Sequence, residues 1–177
     1  MPTHIQNFKR WYSDILDGLY ANGDAGFVIL MVAFPLLERY LREKSGVHEQ
    51  DLTDAFYDEL RRVFPVLPDN TVARQFWQVY RNGLLHQVTL SQQNRRGVQM
   101  PDGWLSGNVA SLTIDAAGDF WVHPAEFAKT VILTIDGDFT TFDGQHSVNH
   151  PFPVIHATTH DTHSVQLPPV PPPTGVP

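Results

Sequence analysis

The stretch AGFVILMVAFPLLERYLREK, residues 25–44, decides the fold. Through Phe34 it is apolar on almost every side, and beyond that point apolar and charged residues recur with helical spacing. Ser45 and Gly46 follow, a pair typical of a helix C-terminus. We therefore predict a central buried helix, in which Pro35 removes one backbone donor and bends the axis.

An amphipathic helix is predicted before the central helix, over residues 3–21. Its apolar positions recur at steps of three and four, which places them on one face of a helix. These positions are Ile5, Phe8, Tyr12, Ile15 and Leu19. The segment NGD, residues 22–24, then predicts a turn into the central helix.

Two further helices are predicted after Gly46. Asp51 or Thr53 can cap the first, which continues until Pro65 stops it. Its apolar positions are Leu52, Phe56, Leu60 and Val63. Asn70 is expected to cap the next helix, which the apolar repeat extends at least to His86. Its core-facing positions are Val72, Phe76, Val79, Tyr80 and Leu84.

A small β-hairpin is predicted between the fourth helix and the last one. Residues 91–108 are rich in Gln, Asn, Arg, Gly, Pro and Asp, a composition typical of a long loop. Residues 110–114 and 120–122 flank a turn in which Gly118 supplies a positive φ angle. The hairpin is therefore expected around residues 109–122.

The last helix is expected to begin at Pro124, directly after His123, because proline suits the first helical position. The β-branched residues between 130 and 135 also permit a strand, and the sequence leaves that alternative open. The apolar face of the predicted helix consists of Phe127, Val131, Ile135 and Phe139.

The whole pattern predicts a mainly α protein: an up-and-down bundle of four to five helices with a β-hairpin insertion before the last helix. Residues 1–144 are expected to form this one domain, since 177 residues with 42% hydrophobic content suit a single core. Residues 145–177 are rich in Pro and His, so we expect an extended or disordered tail there.

Composition narrows the classes of function. The chain has no cysteine, which excludes disulfides and thiolate metal sites. Its longest apolar run, residues 27–37, is eleven residues long, whereas a bilayer span needs roughly 20. The first residues show no signal-peptide pattern. We expect a cytoplasmic protein without membrane association.

The distribution of charge along the chain indicates more about possible ligands than the total charge does. The formal charge of −7 argues against a protein that coats nucleic acid generally. Residues 71–101, however, contain no acid and four arginines: Arg74, Arg81, Arg95 and Arg96. Such a window can attract a phosphate ligand, although charge alone favours the simpler interpretation, an ordinary charged helix end and loop.

The segment YRNGLLHQ, residues 80–87, is the most specific in the chain. It resembles the HEPN superfamily of helical bundles, marked by an Arg, often a polar residue after it, and a His within four to six positions. Arg81, Asn82 and His86 match that motif. Together with the helix order, the resemblance covers roughly residues 3–142.

The resemblance implies metal-independent RNA cleavage without a cofactor, in which a 2′-hydroxyl attacks the neighbouring phosphorus. His86 would take or give a proton, since histidine titrates near neutrality. Arg81 would hold the phosphate and Asn82 would orient His86 or the phosphate. Arg95 and Arg96 would guide the RNA strand, and Glu38 is a candidate supporting partner of Arg81.

A homodimer is also implied. At 100° per residue, the α-helical repeat puts Asn82 and His86 on one face and Arg81 about 140° away from His86. Pairing this helix with its own copy would gather two Arg and two His side chains, and Gly83 would let the backbones approach closely.

Two other functions remain open. One is a non-catalytic HEPN-like module that dimerises or binds a nucleotide or a protein; the resemblance also fits a defence or toxin setting with an antitoxin partner. The other is an interaction protein that works through its Pro-rich tail. The tail histidines could bind a metal adventitiously, and Trp104 is a candidate for stacking on a ligand. The tail histidines are His146, His150, His156, His160 and His163.

Overall fold

The computed structural model describes residues 4–47, 51–87, 90 and 99–143. The predicted central helix is present in it as α2, Gly26–Ser45. A short 3-10 turn, Gly23–Ala25, precedes it, and the Asn22 side chain caps that turn by accepting from the Asp24 amide at 3.0 Å. Gly46 adopts a left-handed φ of +68° and ends the helix. Pro35 lies inside α2 with its side chain exposed.

The first half of α2, although apolar on almost every side, is buried on one side only. Leu30 and Phe34 are fully buried. Phe27, Val28 and Met31, however, are 39%, 52% and 37% exposed. The other elements therefore cover only one side of this part of α2, and its opposite side is apolar and open.

Helix α1 covers residues 4–19 and contains a π-helical turn. An α-helical segment, His4–Phe8, continues through Lys9–Ser13 in π geometry and then through Asp14–Leu19 as α-helix. A π turn holds more residues than an α turn and rotates everything after it. Leu16 is consequently fully buried, whereas Ile15, which the regular repeat placed on the core face, is 57% exposed.

The third and fourth helices occur where the sequence predicted them. Helix α3 is Asp54–Val63, with Thr53 at its N-cap position. Helix α4 consists of Asn70–Trp77 in α geometry and Gln78–Gln87 in π geometry. Its cap is Asp69, whose carboxylate accepts from the Val72 amide at 2.9 Å, so the expected cap at Asn70 is wrong by one residue.

Three short strands form a mixed sheet in the order β1-β3-β2. Strands β2, Leu112–Ile114, and β3, Phe120–Val122, make the predicted antiparallel hairpin, with Gly118 at a φ of +89°. Strand β1, Gly103–Leu105, pairs parallel to β3 and lies where only a loop was expected. The first part of that loop, residues 91–98, lies outside the described residues.

Helix α5, Pro124–Gly137, begins at Pro124 as predicted, and the His123 side chain caps it by accepting from the Glu126 amide at 3.4 Å. Val131 and Ile135 are buried on its inner face, so the alternative strand is wrong. Phe139 lies beyond the helix, in the 3-10 turn Phe139–Asp143. The structure confirms a mainly α protein with a small sheet before the last helix, whereas the Pro- and His-rich tail lies outside the described residues.

Aromatic contacts join α2, α4 and α5 at the centre of the core. The Phe34 ring of α2 stacks on Phe127 of α5 at 4.8 Å and is nearly parallel to Tyr80 of α4 at 6.1 Å. Phe76 of α4 contacts Tyr80 at 5.2 Å and Phe120 of the sheet at 5.6 Å. These rings bury large apolar surfaces in preferred tilted or stacked geometries, which makes them the main stabilising contact between layers.

Tyr80 also anchors the sheet to the helices. Its hydroxyl accepts from the Trp104 amide at 2.9 Å and lies 2.8 Å from the carbonyl oxygens of Trp104 and Phe120, which can accept its proton. Burial raises the pKa of Tyr80 and keeps the phenol protonated as a donor. Gly103 permits this approach, because a Cβ there would lie 2.6 Å from Cγ1 of Val79.

We predict that Tyr80→Phe destabilises the protein by about 1–3 kcal/mol, because it leaves backbone groups of β1 and β3 without their partner. Urea unfolding followed by circular dichroism measures this. Tyr20→Phe is the matched control: it keeps the ring that faces the Lys129 ammonium and should change the free energy of unfolding by less than about 0.5 kcal/mol. Equal effects of both substitutions would contradict the anchoring role of Tyr80.

Asp138 links the end of α5 to the end of α2. Its carboxylate accepts from the Lys44 ammonium at 2.6 Å and from the Tyr40 hydroxyl at 2.9 Å. The hydrogen bond from Lys44, followed by those from Tyr40 and Thr141, lowers the pKa of Asp138 despite partial burial. The folded state therefore favours the ionised carboxylate.

We predict that Asp138 contributes to stability above pH ~4, the ordinary aspartate range in an unfolded chain, and that this contribution disappears as the pH falls through the lowered pKa. Asp138→Asn should cost under about 1 kcal/mol at pH 7, since the ion pair is partly solvated, and should flatten the acid side of the stability curve. Thermal unfolding across pH measures this, with Asp51→Asn as an exposed control. Parallel curves for wild type and Asp138→Asn would refute the linkage.

Candidate functional site

The residues of the candidate cluster lie in the π-helical half of α4, Gln78–Gln87. In a π-helix the hydrogen bond joins residues five apart, so Arg81 and His86 lie one turn from each other. The predicted separation of about 140° assumed an α-helical repeat and does not apply to this segment. The backbone places Arg81, Asn82 and His86 toward one side of the helix, whereas the His86 side chain is outside the described part of the chain.

Glu38 of α2 holds Arg81, as the sequence suggested. The Nε atom of Arg81 donates to Oε2 of Glu38 at 2.7 Å, and the two side chains are 24% and 14% exposed. Nη1 of Arg81 donates to Oδ1 of the exposed Asn82 at 3.2 Å. One edge of the guanidinium is therefore fixed to α2, and another part lies beside Asn82 near the surface.

Arg42 completes the ionic cluster, and the sequence analysis did not identify it. Its Nε and Nη2 atoms donate to Oε1 of Glu38 at 3.0 and 2.9 Å. Two guanidinium groups, those of Arg42 and Arg81, therefore share the carboxylate of Glu38. Glu38 and Arg42 are four residues apart on one helix, the spacing of a favourable intrahelical ion pair, and that signal could have found Arg42.

Acidic residues from other helices reduce the positive charge predicted for residues 71–101. Arg74 pairs with Asp54 of α3 at 2.7 Å, and its guanidinium lies 4.4 Å from the centre of the Tyr57 ring. Arg81 pairs with Glu38 of α2. The two described arginines of the window are therefore each paired with a carboxylate, while Arg95 and Arg96 lie outside the described residues.

Gly83 is buried within the single chain. Gly83 is therefore not an open contact for a second copy. In addition, the π repeat removes the geometric reason for requiring two chains to bring Arg81 and His86 to one side. The homodimer stays a prediction of the resemblance.

One side of α2 leads directly to the ionic cluster. Val28, Met31, Pro35, Glu38 and Arg42 follow one another at steps of three and four residues, which aligns them along one side of the helix. The first part of this side is apolar and exposed, and its last part is the Arg42–Glu38–Arg81 cluster. A ligand at the cluster would thus lie beside an apolar surface.

Comparisons with known proteins do not assign a family. No protein-family model matches the chain, and neither a curated protein nor a solved structure matches it. Among the described residues, no helix has the length and apolar character needed to cross a membrane.

We predict that Glu38→Gln makes the protein more responsive to phosphate. The substitution removes the carboxylate charge that Arg42 and Arg81 share, which lowers stability by about 1–3 kcal/mol, and an added anion can take the place of that charge. Inorganic phosphate should therefore raise the Tm of Glu38→Gln more than that of the wild type, because a ligand of the folded state stabilises it.

The matched control for this experiment is Glu126→Gln, which breaks the exposed ion pair of Glu126 with Lys129, whose atoms lie 2.7 Å apart. Its Tm should change little, and phosphate should act on it as on the wild type. An equal phosphate response of Glu38→Gln and Glu126→Gln would refute an anion site at Arg81.

Proposed function

We propose that the protein is a metal-independent endoribonuclease whose active site contains Arg81, Asn82 and His86. The observation that carries the proposal is the π-helical repeat of Gln78–Gln87, which lets an arginine and a histidine five residues apart share one side of a helix. The resemblance of residues 80–87 to the HEPN motif supplies the reaction class. Glu38 supports the proposal as the residue that positions Arg81.

The proposed reaction uses the RNA's own 2′-hydroxyl as the nucleophile. His86 accepts the proton of that hydroxyl as the O2′–P bond forms, and the P–O5′ bond breaks to leave a 2′,3′-cyclic phosphate. The departing 5′-oxygen takes a proton from water and becomes a hydroxyl. The Arg81 guanidinium offsets the negative charge that develops on the phosphate oxygens.

The ionic cluster supports a role for Arg81 as a positioned phosphate ligand. Its Nε is held by Glu38, while Nη1 lies with Asn82 near the surface, so the guanidinium plane is fixed before a ligand arrives. A fixed fork suits bidentate binding of a phosphate better than a freely rotating one. Arg42 contributes a second positive charge on the same carboxylate.

The same cluster also favours a second function, a non-catalytic module that binds a nucleotide or a protein. Glu38 already compensates one arginine charge, and the chain as a whole carries −7. Both features reduce the attraction for a polyanion such as RNA but allow a ligand with a single phosphate or carboxylate. Under either function, we propose that a defence or toxin setting would require a protein inhibitor as partner.

The test is cleavage of single-stranded RNA by the purified full chain in the presence of a chelator. We predict 2′,3′-cyclic phosphate ends, and a loss of rate of about a hundredfold or more in His86→Ala and in Arg81→Ala. Arg62→Ala is the matched control, because Arg62 is an exposed arginine that pairs with Glu59 of its own helix α3 rather than with the cluster of Glu38 and Arg81. Circular dichroism checks that each variant is folded.

Two results would reject the ribonuclease. If the folded His86→Ala variant still cleaves RNA, His86 is not the catalytic base and the proposed active site is wrong. Complete absence of cleavage, together with binding of a mononucleotide that Arg81→Ala weakens and Arg62→Ala does not, would establish the binding module instead.

A further inference from the structure

Two tryptophans stack on the outer face of the sheet. Trp104 of β1 and Trp121 of β3 are register partners, with ring centres 5.6 Å apart and planes inclined by 21°. Thr113 of β2 is the next residue in the same row. The residues on either side of Trp121, Phe120 and Val122, are fully buried, so this row belongs to the side of the sheet that faces away from the core.

In the aromatic pair, Trp104 is exposed and Trp121 is half-buried, and both are held in place. Trp104 remains 45% exposed even though its own amide and carbonyl are bound to the Tyr80 hydroxyl. The Trp121 indole donates to Oδ2 of Asp115 at 2.9 Å, and Oδ1 of Asp115 accepts from the amides of Ala117 and Asp119. A rigid aromatic surface of this kind can bind a ligand with little loss of side-chain entropy.

The charge around the pair argues against a nucleic acid as its ligand. Residues 101–122 contain Asp102, Asp115 and Asp119 and no Lys, Arg or His. Strands that bind nucleic acid by stacking combine their aromatic residues with cations that neutralise phosphates. An uncharged ligand with an apolar surface suits this acidic and aromatic face better.

The chain itself contains such a ligand outside the described residues. The segment LPPVPPP, residues 167–173, has five prolines, which preset the polyproline II conformation that aromatic grooves recognise. Residues 145–177 contain one acid, Asp161, and neither Lys nor Arg, so they bring little charge for the acidic face to repel. We propose that residues 167–173 dock on the Trp104–Trp121 pair of the same chain.

The length of the connection permits this docking. The described chain ends at Asp143, after α5, whose 14 residues at 1.5 Å each place that end about 20 Å along the helix from the sheet. Residues 144–166 can span at most about 80 Å when fully extended. Because ligand and surface share one chain, a weak contact also gains from a high effective concentration.

The experiment compares the NMR signals of the indole N–H groups in ¹⁵N-labelled full chains. The signal of Trp104 is identified as the one that disappears in the Trp104→Phe variant. A variant in which all five prolines of residues 167–173 become Ser should shift the signals of Trp104 and Trp121 and leave those of Trp11 and Trp77 in place. The matched control changes Pro151 and Pro153 to Ser in the same tail and should shift none. Dilution of the wild type should also leave the spectrum unchanged, because the contact is within one chain.

Three results would overturn the proposal, and none of them depends on ribonuclease activity. Identical Trp104 signals in the wild type and the five-proline variant would show that the segment does not reach the pair. A shift that vanishes on dilution would assign the contact to a second copy. A single-stranded RNA that moves the Trp104 signal of the five-proline variant would make nucleobases the ligand.

Discussion

The burial of Tyr80 is the constraint on which the rest of the structure depends. Its ring lies against Phe34 and Phe76 in the core, and its hydroxyl is bound to the backbones of β1 and β3. One side chain thus joins α2, α4 and the sheet. Because Arg81 and Asn82 follow Tyr80 directly, the same contact fixes where the candidate cluster emerges on the surface. A helix turned about its axis at this point would lose both the sheet anchor and the pairing of Arg81 with Glu38.

Much of the fold is predictable from local sequence. The apolar repeat located the five helices of the described residues. Gly46 and Pro65 marked where two of them end and Pro124 where one begins, through backbone chemistry that operates within a few residues. The features that the sequence did not predict depend on contacts between residues far apart in the chain or on altered helix geometry. Strand β1 is three residues long and is defined by pairing with a strand fifteen or more residues later, which leaves no local pattern. The burial of Leu16 in place of Ile15 follows from a π turn that the regular repeat cannot reveal.

The candidate site was predictable in its residues and less so in its geometry. Residues 80–87 form a distinctive sequence motif, and the predicted pairing of Glu38 with Arg81 is confirmed. The predicted angle of about 140° between Arg81 and His86 assumed the α-helical number of residues per turn. That number is larger in the π-helical segment, so the predicted angle is wrong there. Counting charges along the chain also missed the carboxylates of Asp54 and Glu38, which pair with Arg74 and Arg81 from other helices. Pairing of charges between helices depends on how the helices pack, so it cannot be predicted from residues 71–101 alone.

The central claim is that the segment after Tyr80 has a π-helical repeat that brings Arg81 and His86 to one side of α4. Scalar coupling across backbone hydrogen bonds, measured by NMR on the full chain, tests it directly because it identifies the carbonyl that accepts from each amide. We predict coupling from the His86 amide to the Arg81 carbonyl, five residues before it. Coupling of the His86 amide to the Asn82 carbonyl, four residues before it, would mean an α-helical repeat and would contradict the π-helical one.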